Sequence, residues 1–169
     1  MECDDWAPCP DREVMEAANV HPDTRLATDF LNPFNEYIML GEMVADGTMP
    51  ADVLADWLPI DYETHFARSG FAGIDIVLAA FRSLACYKRK AFEDAVNVLI
   101  ELILDHQMLA NQIFAHNVFT HQSSLGHENT KMAGIKHARD QVSALISDPG
   151  HFDDVDNNAT QAAIDALFD

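Results

Sequence analysis

Residues 91–110 read AFEDAVNVLIELILDHQMLA, and the periodicity of this stretch decides the fold class. Phe92, Val96, Leu99 and Ile103 follow one another at steps of four, three and four, which lines them along one seam of an α-helix. Val98, Ile100, Leu102, Leu104 and Leu109 cover much of the remaining circumference. A half-buried strand would alternate apolar and polar residues at every second position, and no part of the chain shows that alternation. The spacing predicts a helix from about Lys90 to Thr120 inside an all-α protein.

Upstream, Ile74 to Ala85 is almost wholly apolar, as a core helix requires, and a turn is expected within Cys86–Lys90, because one unbroken helix would be far longer than usual. Asp61 can cap a helix opening Tyr62-Glu63-Thr64-His65-Phe66, and Ser69-Gly70 interrupts it. Pro50 opens a short helix ending near Trp57. Before that, a helix is expected from Pro22 to Val44. Pro33 removes one of its hydrogen bonds and must kink or divide it, and Asn32-Pro33 as cap and first residue would make two helices. A short helix from Asp11 to about Asn19 follows a loose leader at residues 1–10. Downstream, Ser123-Ser124-Leu125-Gly126 is expected to break the chain before a helix over 127–146, closed by Asp148-Pro149-Gly150. Asn157 or Asn158 caps a last short helix ending at Phe168. The sum is an all-α helical bundle of four main helices plus short accessory helices, in a single domain spanning 1–169.

Ten Lys and Arg against 28 Asp and Glu leave a formal charge of −18. Nucleic acid and anionic membranes both attract clustered basic residues, so the balance argues against either as partner. The one basic cluster, Arg82, Lys88, Arg89 and Lys90, reads as a helix end whose dipole it offsets. Three cysteines, Cys3, Cys9 and Cys86, show no paired spacing and suggest reduced thiols. The acidic N-terminus lacks the apolar run of a secretory signal, and the apolar stretches are too short to cross a bilayer, so a cytoplasmic location is expected.

Asp94, Asn97, Glu101 and Asp105 interrupt the apolar helix at offsets of three, seven and eleven. At about 100° per residue they fall within an arc of roughly 80°. Asp29, Asn32 and Glu36 repeat the spacing of Asp94, Asn97 and Glu101, giving Asp-x-x-Asn-x-x-x-Glu twice. Side by side, two such helices would gather oxygen ligands suited to Mg²⁺, Mn²⁺ or Ca²⁺. Each has a plainer reading as well: a polar face turned to water for the long helix, and a cap at Asn32-Pro33 for the earlier one. His106, His116, His121, His127 and His137 stand ten, five, six and ten residues apart, without the i, i+4 pairing of helical zinc sites or a Glu-x-x-His motif. No phosphate loop or nucleophile elbow is present. Phe30, Phe34, Tyr37, Met39 and Met43 read as core. Trp57, Tyr62, His65 and Phe66 either dock a Pro-containing turn on the bundle or line a cleft.

The carboxylates Glu36, Glu42, Glu101 and Asp105 resemble those of all-α nucleotide pyrophosphohydrolases, which hold Mg²⁺ between acidic helices. The two halves here stand further apart and the dense acidic motif of that family is not reproduced, so no residue role is carried over. Two functions are therefore expected to compete. One is a non-enzymatic regulatory or accessory protein that binds a protein partner or itself as a homodimer. The other is a divalent-metal-binding bundle, a Mg- or Mn-dependent hydrolase among its forms, built on the seven residues Asp29, Asn32, Glu36, Asp94, Asn97, Glu101 and Asp105.

Overall fold

The computed structural model of the protein describes residues 8–116 and 123–153, with side chains from 8 to 112 and from 129 to 153. Its helices are α1 (Arg12–Ala17), α2 (Asn32–Ala45), α3 (Tyr62–Ser69), α4 (Ile74–Arg82), α5 (Cys86–His116) and α6 (Ser123–Ser147). Single 3₁₀ segments occupy Thr28–Leu31 and Ala51–Asp56. Among the described residues there is no strand, only an isolated bridge between Val20 and Ala27. The fold is all-α, as the periodicity predicts. No described helix is long and apolar enough to cross a membrane. Most of the expected leader and the expected helix at 157–168 lie outside the described residues.

The best-signalled helix is α3. The Asp61 carboxylate accepts from the Thr64 backbone N–H at 2.8 Å and from its hydroxyl at 2.7 Å, and Gly70 ends the helix at φ +66°. Burial opposes ionisation of Asp61, yet these hydrogen bonds win and hold its carboxyl below the usual range. Pro33 stands in the first turn of α2, where its missing N–H costs nothing. The expected helix from Pro22 therefore begins only at Asn32. The chain before it is held by tertiary contacts instead: Arg25 sits at φ +58° with its guanidinium on the Ser83 carbonyl, and the Thr24 hydroxyl donates to the Ile146 carbonyl.

Two expected breaks fall inside helices. Cys86–Lys90 is the first turn of α5, because the reversal is made earlier, by Ser83-Leu84-Ala85. Arg89 reaches back from α5 to the carbonyls of Arg82 (2.7 Å) and Leu84 (3.3 Å). It thus satisfies acceptors at the end of α4, in keeping with the dipole reading, although Lys88 and Lys90 lie at the start of a helix. Ser123–Gly126 likewise opens α6 instead of interrupting the chain. Cys86 is disulfide-bonded, while Cys9 is free and exposed. Spacing along the chain carries no information about which thiols meet in space, and cysteine usage no longer argues for a reducing compartment.

α5 and α6 form an antiparallel pair: the Lys88 ammonium lies 5.4 Å from the Phe152 ring centre at one end, and Asp105 meets Lys131 further along. α2 runs antiparallel to α6 as well, with Arg139 donating to Asn35 at 2.8 Å and Lys136 pairing with Glu42. α2 and α5 are consequently parallel. The segment Ala51–Asp56 packs on both. Trp57 ties it to α2 through Nε1 and the Pro33 carbonyl (3.0 Å), and Gln107 of α5 donates to the carbonyls of Leu54 and Trp57. Phe30, Phe34, Tyr62, Phe66, Phe81 and Phe92 fill the core beside it, with Tyr62 stacked on Phe81 at 4.5 Å. Trp57, Tyr62 and Phe66 are buried, so this aromatic group docks the turn on the bundle.

Candidate functional site

The parallel course of α2 and α5 bears directly on the repeated acidic spacing. The two copies stand 65 residues apart in the chain. The helices touch where the Tyr37 hydroxyl reaches Ile103 and His106, 66 and 69 residues further on. The register therefore sets the two triplets at nearly the same level. Their faces are wrong for a joint site. Tyr37, Ile103 and His106 occupy the facing sides, while Asn32, Glu36, Asn97 and Glu101 are exposed. Asp94 is paired with Lys90 and Asp105 with Lys131. Asp29, half-buried, lies beside His65 and Tyr62 instead. Among the described residues no group of three or more His, Cys, Asp or Glu side chains could hold a metal ion. The expected oxygen cage is not formed, because helical spacing fixes a shared face without saying which way that face points.

His106 is the residue that spacing along the chain undervalued. It takes the next three-residue step of the seam Phe92, Val96, Leu99, Ile103, and Ala110 follows four residues later, all of them buried. That continuation was the available signal. Its Nδ1 lies 2.8 Å from the Tyr37 hydroxyl, and its Nε2 is buried without a hydrogen-bond partner among the described residues. Burial, reinforced by the positive charge of Lys131, pushes its pKa below the ordinary value of 6.5.

His106 lines a cavity of about 420 Å³ between α2, α5 and α6. Gly41, Ala45, Met132 and Ala133 give it apolar walls, and Glu42, Asp46, Asn129 and Lys136 supply polar groups. The acidic groups are engaged: Glu42 pairs with Lys136, and Asp46 accepts from the Thr48 backbone at 2.9 Å. Gly41 lets α2 and α6 approach closely. A Cβ there would stand 2.2 Å from the Met132 methyl and 3.8 Å from His106 Cε1.

A second feature is the outward face of α5. Val98, Leu104 and Met108 are 53%, 37% and 58% exposed, and they share that face with Asp94, Asn97, Glu101 and Asp105. By helical angle, the three carboxylates form a line with Val98 on one flank and Leu104 and Met108 on the other. Glu101, at its centre, makes no ion pair among the described residues. No family model, curated protein or solved structure matches the chain.

Proposed function

We propose that this is a non-enzymatic accessory protein that acts by binding a partner protein along the outward face of α5. The observation carrying this reading is the acidic line of Asp94, Glu101 and Asp105 flanked by exposed Val98, Leu104 and Met108. Such a strip complements an amphipathic helix with basic residues along its apolar face. A second copy fits less well, since identical acidic faces would oppose like charges in a chain of net charge −18.

The test is fluorescence anisotropy of a labelled Lys/Leu amphipathic peptide titrated with the full chain, beside light scattering of the protein alone. Binding is expected, and Leu104→Asp with Met108→Asp should weaken it by about tenfold or more, as loss of central apolar contacts does, while the circular dichroism melt is unchanged. Affinity indifferent to both substitutions reduces the effect to bulk charge and sinks the reading. A dimer dissolved by Leu104→Asp would put a second copy in the partner's place.

A further inference from the structure

We propose that Met39, Met43 and Met49, at the C-terminal end of α2, form a thioether site for a soft monovalent metal ion of the Cu(I) class. The site is separate from the outward face of α5 and does not depend on it.

Composition alone reads Met39 and Met43 as core, and the structure puts them elsewhere. Met39 is 52% exposed. Met43 and Met49 are half-buried, yet neither packs against the hydrophobic core. These side chains therefore contribute little to the packing that methionines ordinarily serve.

The backbone gathers them. Met39 and Met43 are four residues apart on α2, so they share one face, about 40° apart and one turn above the other. Gly47, at φ +79°, ends the helix and turns the chain back. Its N–H bonds to the Val44 carbonyl at 3.1 Å, and those of Thr48 and Met49 both bond to the Met43 carbonyl, at 2.9 and 3.0 Å. Met49 is thereby returned to the turn of helix that carries Met43. Each sulfur hangs on an unbranched side chain with three rotatable bonds, so thioethers on neighbouring turns can converge.

The donors choose the ion. Thioethers are soft and uncharged; they suit Cu(I) and leave Mg²⁺, Ca²⁺ and Mn²⁺ to oxygen ligands. Glu36 and Asp46 are exposed on the same side of α2, in a chain of net charge −18, and their field favours a cation there. A thioether has no proton to lose before it binds, so such a site keeps its affinity in mild acid, where imidazole and thiolate sites weaken.

The experiment uses the full chain with ¹³C-labelled methionine methyls and with Cys9→Ser, which removes its exposed free thiol. Cu(I) is added anaerobically as the acetonitrile complex. The methyl resonances of Met39, Met43 and Met49 are expected to move together, while that of Met108, 58% exposed on α5, stays behind. Met39→Leu and Met43→Leu conserve side-chain volume and should leave the circular dichroism melt intact. Each should weaken binding at least about tenfold, the loss that even an outer-shell partner of a metal brings. Competition with a chromophoric Cu(I) chelator measures this, and the affinity should be equal at about pH 7.5 and about pH 5.5. Equal movement at Met108 would mean contact of the metal with any surface thioether and would overturn the proposal. So would an affinity that collapses in acid, the mark of histidine ligands, or one untouched by both substitutions.

Discussion

Tyr62 and Tyr37 are both buried phenols, and their hydroxyls meet opposite surroundings. Tyr62 lies among Phe30, Phe66, Phe81 and Phe92, and its oxygen accepts from the Ala27 backbone N–H at 2.8 Å. Burial there drives its pKa well above the ordinary value of 10.0. The Tyr37 hydroxyl instead lies 2.8 Å from His106 Nδ1 and 3.4 Å from the Ile103 carbonyl, and His106 itself lines a cavity. One end of the molecule is closely packed aromatic core in which the Tyr62 hydroxyl is paired. At the other, His106 Nε2 is buried without a hydrogen-bond partner among the described residues.

Truncation should expose the contrast most strongly. Phe92→Ala, in the closed region, is expected to cost about 3–5 kcal/mol, whereas Met132→Ala beside the cavity should cost about 2 kcal/mol, the lower end for such changes. Urea denaturation of both variants measures this, and equal losses would erase the distinction. The hydroxyls give the next step down. Tyr62→Phe orphans the Ala27 N–H and should cost about 1–3 kcal/mol, with Tyr37→Phe nearer about 1 kcal/mol because the imidazole can change tautomer. A larger loss from Tyr37→Phe would show that the cavity end is the more tightly specified.

The smallest effect is in pH. Burial lowers the pKa of His106, with Lys131 of α6 adding to it, and lowers that of His65 against the opposing carbonyl and charge of Asp29. A histidine with a depressed folded pKa takes up its proton more readily when unfolded. Stability is therefore retained above the unfolded value of 6.5 and falls as pH drops below it. The melting temperature should decline between pH 7.5 and about 5.5, and His106→Leu should flatten part of that slope. An NMR titration that finds His106 ionising at an ordinary pKa would remove its share of that slope.

Much of this fold could be read from short-range chemistry. The Asp61 cap, the Gly70 stop and the seam Phe92, Val96, Leu99, Ile103 each depend on residues within one or two turns of one another. What failed depended on distant partners. The helix expected from Pro22 gives way over residues 22–31, where Arg25 and Thr24 bind carbonyls on Ser83 and Ile146, far along the chain. The start of α5 was hidden because the reversal before it uses no Gly or Pro. The acidic repeat showed the right level and the wrong face, since nothing local states which side of α5 meets α2. His106 could have been found as a polar residue on an apolar seam; Tyr37 as its partner could not.

The corner between α4 and α5 behaves differently from the rest of the surface when ionic strength rises. Arg89 holds it by hydrogen bonds to two neutral carbonyls, which mobile ions scarcely weaken, whereas Lys136–Glu42 and Lys131–Asp105 are solvent-exposed ion pairs within reach of screening. Concentrated salt should thus slacken the grip of α6 on both its neighbours while that corner keeps its angle, leaving the cavity end the first part of the bundle to breathe.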